Sequence, residues 1–354
     1  MKVLRNLLIL LIIAAIAVGA YFGANIYFQK QAVKQIDTML KDNNLQNDVT
    51  YKSVKANLFS RSITVNSVKW YIKSKMNSNE DTYGYVQSKN VIIKGNLNKN
   101  YRIEANDLEY INLTPKISPQ ALNKVIMSAK QYIVTSHKGK DDSTQFDISI
   151  KDININTKIF KLTKNYNQQK FEEISKIVKF NNPINITMNY SLFPKKDRLK
   201  IRNYSINFIN NFGLSYSGDI ENININNIKK LTKQMQKQKN NFLIMVNLMS
   251  EIFKMKITEL AINLDNYGIV ERIIAEKAKK EGSTNDKVID EILAKHKKTE
   301  KIYKPLKNFI TLKSKRFSIN VKNKYKKSLS ELFADTQSKN KEQIFNDLEI
   351  NYSN

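Results

Sequence analysis

Beyond Val49 the chain alternates apolar and polar residues with period two over many short stretches, as in Ile63-Thr64-Val65 and Ile184-Asn185-Ile186. That spacing predicts half-buried β-strands. The alternation breaks in a recurrent way: apolar, any, apolar, two polar, apolar, any, apolar. It reads Ile63, Val65, Val68, Trp70, then Ile103, Ala105, Leu108, Tyr110, then Ile148, Ile150, Ile153, Ile155. Leu199, Ile201, Tyr204, Ile206 and Met255, Ile257, Leu260, Ile262 repeat it. A hairpin turn at the polar pair would leave strands too short to pair, and Ser67, Thr258 and Glu259 are poor choices for positive φ. A β-bulge instead inserts one residue, keeps both apolar pairs on one face and bends the strand. The copies lie 40 to 56 residues apart, too irregular for a solenoid. The expectation is a curved, bulged, mainly antiparallel sheet whose apolar face carries Ile63, Val65, Ile148, Ile150, Ile257 and Ile262.

Helical spacing interrupts the strands. Residues 29–43 read as one helix. Ser118-Pro119 forms an N-cap and N1 pair ahead of Leu122, Val125, Ile126, Ala129 and Ile133 on one face. A longer helix over 226–254 carries Ile228, Leu231, Met235, Phe242, Met245, Met249 and Ile252, with Gln238 interrupting the seam. It is expected to pack on the sheet rather than to form a coiled coil. A helical pair follows, split at Gly282-Ser283, with Ser283 and Asp286 in a capping arrangement. Strands near 312–321 and 343–352 close the chain. The fold class is α+β, several helices packing on the sheet.

At the N-terminus, Lys2 and Arg5 precede an apolar run from Leu7 to Phe28. At about 1.5 Å per residue such a run covers a hydrocarbon core of about 30 Å. Small residues at Ala15, Ala17 and Ala20 would suit a cleaved signal peptide, but the apolar run continues past them. The expected organisation is a signal-anchor transmembrane segment over 1–29 and a strand-rich domain over 30–354, divisible near 225. With a lone N-terminal span, that domain is expected in the periplasm and the protein in the bacterial inner membrane, single-pass.

Composition narrows the chemistry. Hydrophobic residues make up 41%, enough for a packed core, and there are 9 Gly, 5 Pro and no Cys. Disulfides and thiolate metal sites are therefore excluded. The net charge of +27 comes from lysines scattered along the chain. That suits a solvated surface, or attraction to anionic headgroups, better than nucleic-acid binding. His137 and His296 sit in lysine-rich stretches without metal-ligand spacing. Gly213 to Gly218 lacks the glycine that a nucleophile elbow needs at position 217, where Ser217 stands. Asp141-Asp142 has loop composition, and Trp70 reads as core. No catalytic, cofactor-binding or metal-binding residue is expected, and the chain is not read as an enzyme.

The basic start, single span and bent strands resemble the YdgA-like and AsmA-like envelope proteins. The residues that carry the likeness are Val54 to Trp70, Phe146 to Ile155, Lys256 to Tyr267, and Asn266 to Arg272 ahead of a helix pair. The resemblance implies a periplasmic, non-enzymatic, β-rich domain, with lipid handling in the AsmA-like case. The functional expectation is a membrane-anchored periplasmic binding or scaffold protein. Its partners would be the inner membrane and either phospholipid acyl chains on the apolar face or another envelope protein. The alternative is an assembly component of an envelope complex without a small-molecule ligand.

Overall fold

The computed structural model describes residues 27–42, 45–75, 81–96, 99–113, 123–139, 141–160, 167–237, 242–295, 300–337 and 347–354. The chain divides into two compact units, Met1–Thr135 with Asn156–Asn165, and Ser136–Ile155 with Tyr166–Asn354.

In the first unit helix α1 (27–42) is followed by β1 (Val49–Thr50), β2 (Ser53–Asn57), β3 (Ser62–Lys75), β4 (Asp81–Gly95) and β5 (Tyr101–Asn112). Strand β6 (Val125–Lys138) begins in this unit and helix α2 (Thr157–Phe160) lies within it. The pairings of β3 with β1, β2 and β4, and of β4 with β5, are antiparallel. Ala32, Ile36 and Leu40 recur every fourth residue along α1 and bury against Val54, Ala56, Val65 and Ile93. Gln29 ties the helix to β2: its side-chain amide donates to the Val54 carbonyl, and its Oε1 accepts the Ala56 N–H at 2.6 Å.

The second unit holds β7 (Thr144–Ile155), β8 (Ile184–Phe193), β9 (Arg198–Phe208), β10 (Phe212–Glu221), β11 (Lys256–Asn266), β12 (Arg316–Asn323) and β13 (Leu348–Ser353). They pair in chain order, each antiparallel to the next. Helix α3 (Gln168–Ile177) precedes β8. Helices α4 (Ile225–Lys237) and α5 (Phe242–Lys254) join β10 to β11. Helices α6 (Ile269–Glu281), α7 (Asn285–Ala294) and α8 (Glu300–Ile310) join β11 to β12, and α9 (Leu329–Gln337) follows β12. Connectivity thus places α6–α8 and α4, α5 and α9 at opposite ends of the strands. Val288, Ile274, Leu293 and Phe309 form the buried core of α6–α8, packed against Leu264 and Phe317 of the sheet.

The interrupted alternation has a physical cause in both units. On β7, Ile150 pairs with Ile186 and Ile153 with Ile184, so Lys151 and Asp152 oppose the single residue Asn185. Asp152 takes the left-handed φ of 53° and its N–H donates to Asn185 Oδ1 at 2.9 Å. On β9, Arg202 is the additional residue between Ile201 and Asn203. On β11, Thr258 falls between the paired Ile257 and Glu259, and its hydroxyl donates to the Asp219 carbonyl at 3.1 Å. In the first unit Ser67, Lys89 and Asp107 drop out of the ladders at one level, between Asn66–Asn90–Asn106 and the next paired residues. Three neighbouring strands deviate together there, so their register holds. Ser67 and Asp107 adopt φ of 52° and 49°, against the expectation that Ser67 avoids positive values. Short polar side chains tolerate that region by bonding locally, and here Asn106 Nδ2 donates to Asn90 Oδ1 at 2.9 Å.

Several expectations are corrected. Within each unit the strands are bulged and antiparallel, but the sheet is not curled as expected. In the second unit β7, β9 and β11, each with an additional residue, alternate with β8, β10 and β12, which have none, so each bulge shifts the register locally. The helix expected from Ser118 to Ile133 is the strand β6 over its described part. Ser118, Pro119 and Leu122 lie outside the described residues. β-Branched and aromatic residues (Val125, Ile126, Tyr132, Ile133, Val134, Thr135) favour the strand. The helix over 226–254 is two, α4 and α5, with Gln238 outside the described residues. Helix α7 is capped by Thr284, which accepts the Lys287 N–H at 3.3 Å, not by Ser283. Trp70 is 48% exposed and is no core residue.

The membrane expectation is also corrected. Among the described residues no helix is long and apolar enough to cross a membrane. Helix α5, the most apolar, has 13 residues and covers about 20 Å, against the roughly 30 Å required. The apolar run Leu7–Phe28 lies outside the described residues except for Tyr27 and Phe28, which open α1 beside Lys30 and Lys34. Among the described residues the signal-anchor segment, the single-pass inner-membrane topology with a periplasmic domain, and the inner membrane as partner have no helix to carry them.

Candidate functional site

Cross-strand register assembles the second unit's sheet into rows. One row runs Ile148, Met188, Tyr204, Tyr216, Ile262, Ile319, Tyr352. The next runs Phe146, Tyr190, Ile201, Gly218, Leu260, Val321, Ile350. Directly paired residues share a face, and the bulges restore that face after each polar pair. These rows therefore form one apolar strip from β7 to β13. Aromatic pairs sit along it: Phe146 stacks on Tyr190 with ring centres 4.9 Å apart, and Tyr204 on Tyr216 at 4.7 Å. Burial raises the Tyr216 hydroxyl pKa above its ordinary value, with the nearby Tyr204 adding to it.

No side chain in these two rows is fully buried. That contrasts with the strand ends, where Ile153 and Phe208 are 7% and 6% exposed, and with Val288 at 0%. The strip is thus a large apolar surface that is partly, not fully, buried along its whole length. Its reverse side is polar: Ser149, Thr187, Ser205, Ser215, Asn263, Ser318 and Ser353 form one row, with Asn263 Nδ2 donating to Ser215 Oγ at 3.3 Å.

The six apolar-face residues read from the sequence are not brought to one place. Ile63 and Val65 belong to the first unit, paired with Ile93 and Val91 beneath α1. Ile148 and Ile262 lie in the same row of the strip. Ile150 falls one row towards the α6–α8 end, in line with Ile186, Ile206, Leu214 and Leu264. Ile257 lies one row the other way, with Ile220, Leu199 and Leu192. Sequence reasoning missed the aromatic members Phe146, Tyr190, Tyr216 and Tyr352. The uninterrupted alternation of β8 and β10 could have revealed two of them, Tyr190 and Tyr216.

Charged groups on the polar side act as fasteners. Arg198 Nε donates to Asp219 Oδ1 at 2.7 Å, and Nη2 bonds the second oxygen. This bidentate hydrogen bond is the main cause that holds the Asp219 carboxyl below the usual carboxylate range, against the opposing effect of burial. A carboxyl depressed by folding stabilises at pH above its unfolded value, about 3.9. That stability is lost as pH falls through the folded value. The melting temperature of the second unit is expected to drop on acidification below about pH 4. The drop is smaller in Asp219→Asn, as thermal melts at pH 7 and pH 3 will show. Lys327 donates to Asp335 at 2.9 Å and Asp347 at 2.6 Å, joining α9 to the start of β13. These two bonds raise the Lys327 pKa. Asp141 and Asp142 occupy a turn, bound to Lys196 and Lys195. His137 is exposed on β6, and His296 lies outside the described residues. Among the described residues no cluster of His, Cys, Asp or Glu could hold a metal ion.

A family described only as an uncharacterized protein matches residues 205–354, from within β9 to β13. That description carries no activity and lends no support to the YdgA-like or AsmA-like resemblance. No curated protein matches the chain.

Proposed function

We propose that this chain is a non-catalytic protein-binding module, and that its working surface is the apolar strip of the second unit. The reading rests on one observation: two adjoining rows, apolar or aromatic at every position but Gly218, cross from β7 to β13 without full burial. Contiguous exposed apolar patches mark interaction sites. Small-molecule pockets, by contrast, are concave and enclosing. From β7 to β13 there are six inter-strand steps of about 4.8 Å, so the strip is about 29 Å long. A partner helix of about 20 residues has that length, and its apolar stripe the width of two rows.

The test is photo-crosslinking in the cells that make the protein. A benzophenone amino acid replaces Met188 on the strip or Asn189 on the polar side. A discrete adduct to another protein from position 188, absent from position 189 and lost on Ile262→Asp, is the expected result. Identical patterns from both faces would end this reading.

A further inference from the structure

We propose that the first unit carries a small-molecule site of its own, between helix α1 and strands β3 and β4. Its ligand is an amphiphilic anion, one apolar chain ending in an acid group. The site belongs to the first unit and the apolar strip to the second, so the inference does not rest on the reading above. Ala32, Ile36 and Leu40 bury one face of α1 against the strands. Beside that contact a cavity of about 650 Å³ follows the helix from Phe28 to Asp42. Cavities of about 300–1,000 Å³ are the size that small molecules occupy. Phe28, Met39, Ile63 and Ile93 give this one an apolar lining. Its charged lining residues are Lys34, Arg61 and Asp42, which leaves an excess of positive charge.

Two arguments select the ligand. The first is shape. From Phe28 to Asp42 the helix rises about 21 Å, so the cavity has a mean cross-section of about 30 Å². A partner helix, about 10 Å across, needs more than twice that. A single extended hydrocarbon chain fits, and it gains by leaving water without asking for directional contacts. The second is charge. Arg61 ends the β2–β3 connection at a φ of 45°, in the left-handed region that costs least for Gly or Asn. An arginine is kept there against its conformational preference. Among the described residues its guanidinium makes neither an ion pair nor a side-chain hydrogen bond. Backbone strain held at an exposed position points to a use for the side chain. The planar fork of a guanidinium takes a carboxylate in a two-point contact.

The test is calorimetric titration of the full chain with decanoate and with 1-decanol, which has the chain without the charge. Decanoate is expected to bind at one saturable site, at least tenfold more tightly than 1-decanol. Arg61→Asn places at 61 a residue that tolerates positive φ, so its thermal melt should be no lower than the parent's. Its affinity for decanoate should nevertheless fall at least tenfold. Gln35→Trp, which fills the cavity from an exposed lining position of α1, should abolish binding. Met188→Ser, on the strip of the second unit, should leave it unchanged. No saturable binding, equal affinity for decanoate and 1-decanol, or binding that survives both Arg61→Asn and Gln35→Trp would overturn the proposal. Loss of binding in Met188→Ser would also overturn it, by placing the chain on the strip.

Discussion

Asn211→Ala is expected to lower the stability of the second unit by about 3 kcal/mol or more, since each stranded buried polar group costs about 1–3 kcal/mol. Asn211 is 0% exposed and fastens three pieces of chain. Its Oδ1 accepts the Lys179 N–H and Arg272 Nη2, each at 2.8 Å. Its Nδ2 donates to the carbonyls of Lys179 and Ile209 at 3.2 Å. Its own carbonyl accepts from Tyr267 and Ile269, at the entrance to α6. Truncation leaves the Lys179 amide without its partner and opens a gap that no neighbour fills. Urea denaturation should show a lower midpoint with an unchanged slope, the sign of lost stability rather than a changed unfolded state. Asn189→Ala, on the half-buried polar side, should shift stability by no more than about 1 kcal/mol.

Val288→Asp is expected to be at least as damaging, costing about 4 kcal/mol or more, because it places an unpaired charge out of water. Val288 is 0% exposed among Ile274, Ala278, Leu293, Phe309 and Ile310. The loss should be regional before it is global. Hydrogen exchange should find the amides of α6–α8 unprotected while the paired amides of β8–β10 keep their protection. Uniform loss across the unit would mean that helices and sheet unfold as one.

The strand pattern was legible because side-chain direction in a strand has period two. The polar pairs at Lys151-Asp152, Arg202-Asn203 and Thr258-Glu259 mark bulges where the register shows an additional residue. Less legible was what neighbours do with that residue. At Ser67, Lys89 and Asp107 three strands deviate together and no register shift results. A single strand's sequence carries no information about its partners' kinks. Residues 125–133 misled because Val125, Ile126, Ala129 and Ile133 suit a helical face as well as a strand. The hydrogen bonds decided: Asn156 donates its backbone N–H to Ile126 O and its Nδ2 to Val125 O, each at 2.9 Å. Both are long-range choices that local propensity does not hold.

The strip itself was only partly legible. Ile148 and Ile262 were readable as inward positions of their strands, but rows depend on register, and register depends on every bulge between them. Which rows a helix covers is set by where α6–α8 pack, near Leu264 and Phe317. Helix α5 was misread for a related reason. Its heptad-like spacing suits packing on a sheet equally well, yet its stripe faces outward.

The central claim, that the apolar strip stands open in the folded protein, is tested most directly by thiol labelling of the cysteine-free chain. Ile262→Cys, Val288→Cys and Lys151→Cys should be treated with a maleimide under native conditions. The account predicts that Ile262→Cys reacts within about tenfold of Lys151→Cys, while Val288→Cys reacts only on unfolding. Protection of Ile262→Cys equal to that of Val288→Cys would contradict it, because the strip would then be a closed core.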